Sequence, residues 1–109
     1  MKALLILTTL CFSLAASAEV RIIKFSAEWC KPCKDYKPVI DKVVKELKLD
    51  MQEVDIDKNP NLANKFAVEG VPTTVFLDGD KEVARILGSV DEKFLKQFTE
   101  NVIKSTKGK

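Results

Sequence analysis

A strand-like run, Val20-Arg21-Ile22-Ile23-Lys24-Phe25, passes through a short loop into a segment whose apolar residues fall at Tyr36, Val39, Ile40, Val43, Val44 and Leu47. That spacing is the i, i+3, i+4, i+7 stripe of an amphipathic helix. The junction between the two holds Trp29-Cys30-Lys31-Pro32-Cys33, and it constrains the chain more than any other stretch. Two cysteines separated by two residues lie within reach of one small disulfide ring. Such a ring opens and closes easily, which is redox chemistry.

The chemistry needs one sulfur as a thiolate, although a free thiol has a pKa of roughly 8.5. Cys30 falls at the expected helix start, where unpaired backbone N–H groups and the positive end of the dipole stabilise an anion. Lys31, Lys34 and Lys37 add positive charge nearby. Cys30 is therefore expected to be the exposed, attacking thiol. Cys33, one turn further in, is placed to resolve a mixed disulfide. The competing use of two such cysteines is half of a structural zinc site, which needs two further ligands at a second locus. The chain has no His, and its third cysteine, Cys11, lies in a segment expected to be removed. Completion by carboxylates is uncommon, and no His or nearby Met supports copper carriage. No metal and no organic cofactor are expected.

The N-terminal residues have the character of an export leader. Lys2 supplies a positive start, Ala3 to Leu14 an apolar core, and Ala16-Ser17-Ala18 a small-x-small cleavage signal. Cleavage after Ala18 is expected, leaving residues 19–109 as one domain. The apolar stretch is shorter than the ~20 residues that span a bilayer, and it contains Thr8 and Thr9. Leu10 stands where a lipoprotein signal would place a small residue before Cys11. Loss of Lys2 lowers the formal charge of +2 by one. Basic and acidic residues interleave with no aromatic-studded basic face, so no nucleic-acid partner is indicated. Removal of Cys11 also leaves no odd thiol to pair wrongly in an oxidising compartment. The polar end, Lys104 to Lys109, is not an endoplasmic-reticulum retention signal. A periplasmic or secreted location is expected.

Beyond the first helix, Met51 to Ile56 predicts a second strand. Asn59-Pro60 predicts the N-cap and first residue of a short helix running to Phe66. Thr73 to Leu77 predicts a third strand, Asp78-Gly79 a hairpin, and Glu82 to Leu87 a fourth strand antiparallel to the third. Ser89-Val90-Asp91-Glu92 has the spacing of a capping box, with Phe94, Leu95, Phe98 and Val102 as the buried stripe of a last helix. The expected order is βαβαββα.

That order, with Ala27-Glu28-Trp29-Cys30-Lys31-Pro32-Cys33-Lys34 and Gly70-Val71-Pro72-Thr73, resembles the thioredoxin family over essentially all of residues 19–109. Asp55-Ile56-Asp57-Lys58-Asn59-Pro60, Asp78-Gly79 and Gly88 extend the likeness. The resemblance implies an α/β fold, a minimal version of the thioredoxin fold without the usual leading strand and helix. Its four-stranded mixed sheet carries helices on both faces, and the cysteine pair protrudes at a strand-to-helix junction. It also implies a cis Pro72, which abuts the disulfide and leaves the backbone of Val71 free to pair with an extended substrate peptide. Trp29 is implied to shelter the site with its ring half exposed.

Three residues depart from the family pattern. Thioredoxins usually have a buried Asp five residues before the Trp of the motif, and here that position is Lys24. A Lys usually faces it from the neighbouring strand, and here the matching position is Glu53. One reading is an ion pair with its charges exchanged, in which Glu53 or a neutral Lys24 accepts the Cys33 proton. The other is that Lys24 snorkels to the surface and Glu53 is solvated. Lys31 replaces the usual Gly between the cysteines and is expected to favour the Cys30 thiolate. A surface lysine contributes about 1 kcal/mol at most, which leaves the pair in the reducing half of the family's range.

The resemblance implies an exported monomeric thiol–disulfide oxidoreductase that reduces protein disulfides with electrons from a membrane thiol–disulfide donor. An oxidase or isomerase is the nearest alternative, and a non-catalytic thioredoxin-fold binding subunit a more distant one. Intact cysteines, Trp29 and Pro72 weigh against the last, since a scaffold needs none of them.

Overall fold

The structure is a computed structural model that describes residues 19–107. The expected leader, its cleavage point after Ala18, and Cys11 lie outside the described residues. Seven elements follow in order: β1 (Val20–Ser26), α1 (Lys31–Leu47), β2 (Asp50–Asp55), α2 (Pro60–Lys65), β3 (Thr73–Asp78), β4 (Lys81–Leu87) and α3 (Glu92–Lys107). The sheet order is β2-β1-β3-β4, with β1 parallel to β2 and the other pairs antiparallel. This is the expected α/β arrangement, with strand ends within a residue or two of the sequence reading.

β1 is a central strand, so both of its faces are covered and its side chains alternate between two cores. Val20 and Ile22 join Tyr36, Ile40 and Val43 of α1, Phe76 of β3 and Leu95 of α3. Ile23 and Phe25 join Val54, Val75 and Leu77 with Ala63 of α2 on the opposite face. Fully burying an aliphatic or aromatic side chain of this size contributes about 1.5–3 kcal/mol. Alternation places Lys24 on the same face as Ile22, beneath α1.

Chain turns differ from expectation in instructive ways. The hairpin loop is Gly79-Asp80, closed by the Asp78 and Lys81 pair, and Gly79 takes a left-handed φ of 64° that glycine adopts without a Cβ penalty. The β3–β4 register then slips between Phe76 and Leu77, leaving Val83 as an extra residue in a bulge. Asn59 stands at the N-cap of α2 without a side-chain capping bond. The Asp55 carboxylate secures that turn instead, accepting from the Asp57 amide at 2.8 Å and the Lys58 amide at 3.3 Å.

α3 corrects two readings. Asp91, not Ser89, caps it: the Phe94 amide donates to Asp91 Oδ1 at 2.8 Å. A carboxylate immediately before the helix competes well for that role. Phe94 is 49% exposed and stacks on Phe98, with ring centroids 5.9 Å apart. Leu95 is buried and Phe98 and Val102 pack against the same core as expected, while Thr99 and Thr106 join the buried face, and the Thr99 hydroxyl satisfies itself by donating to the Leu95 carbonyl at 2.7 Å. In α1, Pro38 sits inside the helix, a feature the apolar periodicity did not signal.

Candidate active site

Cys30 is the N-cap of α1, with extended φ/ψ of −93° and 100°. Its Sγ accepts from the Cys33 amide at 3.1 Å, satisfying one of the unpaired donors of the first turn. Cys30 and Cys33 are joined as a disulfide with Cα atoms 5.3 Å apart. Pro32, at the start of the helix, lacks an N–H that would have no partner there in any case. Cys30 was expected to be exposed, but both cysteines are 3% exposed in this oxidised pair. The ring closes inward against Ala27, Ile56 and Val71.

Two supports flank the ring. Trp29 is more exposed than half, at 67%. Its indole Nε1 donates to Asp57 Oδ2 at 2.8 Å, so the loop after β2 fixes the ring from outside. Asp57 is a site residue the sequence reading did not single out, although the Asp55-Ile56-Asp57 run lay in plain view. On the other side, the Val71–Pro72 peptide bond is cis, and the Thr73 hydroxyl donates to the Gly70 carbonyl at 2.7 Å. Among the described residues, the Val71 N–H and carbonyl take no backbone partner. Lys31 points away from the ring: its ammonium sits 3.0 Å from Asp35 on the exposed helix face, so its charge is shared with a carboxylate one turn on.

Beneath the ring lies Lys24, whose side chain is 1% exposed and does not snorkel to the surface. Its Nζ donates to the Cys33 carbonyl at 3.4 Å and to Glu53 Oε2 at 3.5 Å. Glu53 stands opposite Lys24 in the β1–β2 ladder. It also accepts from the Ser26 hydroxyl at 3.2 Å and from Lys37 at 3.3 Å. Burial pushes the Glu53 carboxyl up, but the Lys24 charge and the Lys37 and Ser26 hydrogen bonds outweigh it and hold it below the usual carboxylate range. A cleft of about 380 Å³ lined by Ser26, Cys33, Lys34, Lys37, Glu53 and Asp55 opens onto this side of the pair. Nearby, the Tyr36 hydroxyl and Thr74 Oγ1 are buried without hydrogen-bond partners. Burial pushes the Tyr36 phenol up, and the adjacent Thr74 hydroxyl partly offsets this without closing to a hydrogen bond. Among the described residues no group of three or more His, Cys, Asp or Glu is arranged to hold a metal ion.

The arrangement places a reversible disulfide at a helix N-terminus, between an anchored Trp and an unpaired stretch of backbone. The family model for thioredoxin matches residues 7–101, most of the chain. The chain belongs to the thioredoxin family. It is similar to the thioredoxin of Buchnera aphidicola subsp. Baizongia pistaciae, 34% identical over 84 residues that cover 75% of this chain and 77% of that protein. It is also 39% identical to the thioredoxin of Chlamydia trachomatis, over 68% of this chain and 74% of the relative. Among solved structures, malaria-parasite thioredoxin-2, described as a component of protein secretion machinery, superposes with a TM-score of 0.72 at 30% identity. That match covers 77% of this chain and 84% of the parasite protein. A Halobacterium salinarum thioredoxin superposes with a TM-score of 0.71, also at 30% identity, over 86% of this chain and 80% of that one. Within this family the Cys30–Cys33 pair makes the chain a thioredoxin-like disulfide oxidoreductase with protein disulfides as substrates.

Proposed function

We propose that this protein is exported after cleavage at Ala18 and works as a monomeric protein-disulfide reductase. The Cys30 thiolate attacks one sulfur of a substrate disulfide, forming a mixed disulfide and releasing a substrate thiolate, which takes a proton. Cys33 then attacks Cys30 Sγ, closing the Cys30–Cys33 ring and releasing the second substrate cysteine. Two electrons pass to the substrate, and a membrane dithiol partner returns two by the reverse exchange. The observation that carries this reading is the disulfide at the N-cap of α1, where the helix N-terminus favours Cys30 as the better anion. The free backbone of Val71 beside it suits an extended substrate segment. The leader-like residues and the two remaining cysteines suit export.

The test combines trapping with processing. Cys33→Ser is expected to accumulate a mixed disulfide with a reducible protein such as insulin, and Cys30→Ser to accumulate none. The full chain expressed with its leader is expected to yield a mature N-terminus at Glu19 outside the cytoplasmic membrane. Accumulation on Cys30→Ser instead would reverse the two roles. An intact Met1 on cytoplasmic protein would overturn export.

A further inference from the structure

The charge facing the buried side of the cysteine pair belongs to Lys24, not to Lys31. Lys31 is spent on Asp35 at the surface. Lys24 is enclosed, and one of its two acceptors is the carbonyl of Cys33 itself. The other, Glu53, is 37% exposed at its side chain and is shared with Lys37. Lys37 also pairs with Asp41 at 3.2 Å, so the cations and carboxylates beneath the first turn of α1 balance in number, and among the described residues Lys24 is the charge that is enclosed there. The remaining acidic groups around the pair are engaged elsewhere. Asp57 accepts from Trp29, Glu28 pairs with Lys58 at 3.4 Å, and Asp55 accepts from the turn amides. Lys34 lines the cleft as a further cation, and Tyr36 faces in from α1 as a neutral phenol. Among the described residues, neither Lys24 nor Glu53 hydrogen-bonds to a sulfur; the Sγ of Cys30 takes its bond from the Cys33 amide.

We propose that Lys24 is a positioning residue whose buried charge stabilises the reduced pair as a thiolate at Cys33, so that it acts by electrostatics and not as a proton acceptor. A cation close to a sulfur inside a protein favours the thiolate, and stabilising a thiolate stabilises the reduced state. The disulfide is then a better oxidant than the same fold without that charge. Glu53 opposes the effect, because it offsets the ammonium. In the exchange with glutathione, two glutathione thiols reduce the ring to two cysteines and leave as one glutathione disulfide. The Cys33 sulfur keeps its electron pair as thiolate, and its proton leaves to water through the cleft beside Ser26 and Glu53. Proton acceptance by Glu53 fits less well, since a carboxylate that holds protons weakly is a poor base towards a thiol.

The inference rests on Cys33 as the resolving thiol, but the glutathione equilibrium reads the pair whichever direction it runs in the cell. The experiment equilibrates the oxidised full chain and its variants in glutathione redox buffer and follows thiolate absorbance against pH. Lys24→Met is expected to move the equilibrium about tenfold towards the disulfide, roughly 30 mV more reducing, and to move the thiolate titration upward. Glu53→Gln is expected to shift both in the opposite direction, and Lys24→Arg to keep the parent behaviour. A structural role, or a proton-relay role, makes Lys24→Met and Glu53→Gln move together, and that result overturns the proposal, as does no shift in either. If Lys24→Met does not fold, Glu53→Gln decides alone: a shift towards the dithiol supports the inference, and any other result refutes it. Loss of protein-disulfide reduction with the opposed shifts intact would defeat the reductase reading and leave this one standing.

Discussion

Removing the hydroxyl of Tyr36 should make the protein more stable. Tyr36 is 2% exposed and Thr74 0%, and neither hydroxyl has a hydrogen-bond partner. A buried polar group without a partner costs about 1–3 kcal/mol. Phe at position 36 keeps the ring that packs with Ile40, Phe76 and Leu95 and loses the dehydrated oxygen. We expect a gain of about 1 kcal/mol, which in a domain of this size raises Tm by about 4–8 °C. Thr74→Val, nearly isosteric and on a fully buried strand, should gain a similar amount. Because the two hydroxyls do not bond each other, the double variant should equal the sum of the singles within about 0.5 kcal/mol. Urea unfolding of the oxidised protein with an unchanged m-value is the assay. Destabilisation of about 1 kcal/mol by either single change, or a coupling energy of that size, would show that the pair bonds directly or shares a buried water, and the accounting would be wrong.

Capping of α3 gives a second test: Asp91→Ala should cost about 1 kcal/mol of unfolding free energy, and Ser89→Ala should be close to neutral, whereas a larger loss at Ser89 would restore the capping-box reading. Glu53 makes stability depend on pH. Its folded pKa lies below the unfolded value of roughly 4.3, so its contribution is present above that value and is lost as pH falls through the folded one. Glu53→Gln should therefore be less stable than the parent near neutrality by under about 1 kcal/mol, given its exposure, with the two curves converging in acid; a gap that widens in acid contradicts the sign. Ile40→Ala, at a position with no exposure between α1 and the sheet, should cost about 2–5 kcal/mol, and calorimetry giving under 1 kcal/mol would mean that the core relaxes around the hole.

The path of the chain was legible because period-2 and period-3.6 patterns switch cleanly at Trp29 to Cys33 and again on either side of Pro72. Exposure was harder to read. Phe94 is apolar and one residue from the true stripe, and its position on the helix circumference depends on where Asp91 starts the helix. Lys24 shows the same limit from the other direction. A lysine flanked by Ile23 and Phe25 is either buried or snorkelled, and the choice turns on Glu53, a residue remote in sequence that the parallel β1–β2 register brings opposite. Asp57 holding Trp29 is likewise a contact between two loops that no local pattern encodes. The expected exposure of Cys30 fails because its sulfur is held in the ring against Ala27, Ile56 and Val71, residues that no local pattern brings together.

The two borders of the sheet are guarded by different means. β2 presents Asp50, Gln52, Glu53 and Asp55, and β4 is interrupted at Val83 where the ladder slips. A protein that handles disulfides meets chains that are partly unfolded and rich in unpaired strands, and a long regular border would recruit them at random. Charge on one side and an irregular ladder on the other make neither border a template. On the proposed function, extended polypeptide is left with the short stretch at Val71 beside the sulfurs, so the same device that keeps the sheet from aggregating would also bring visiting chains to the chemistry.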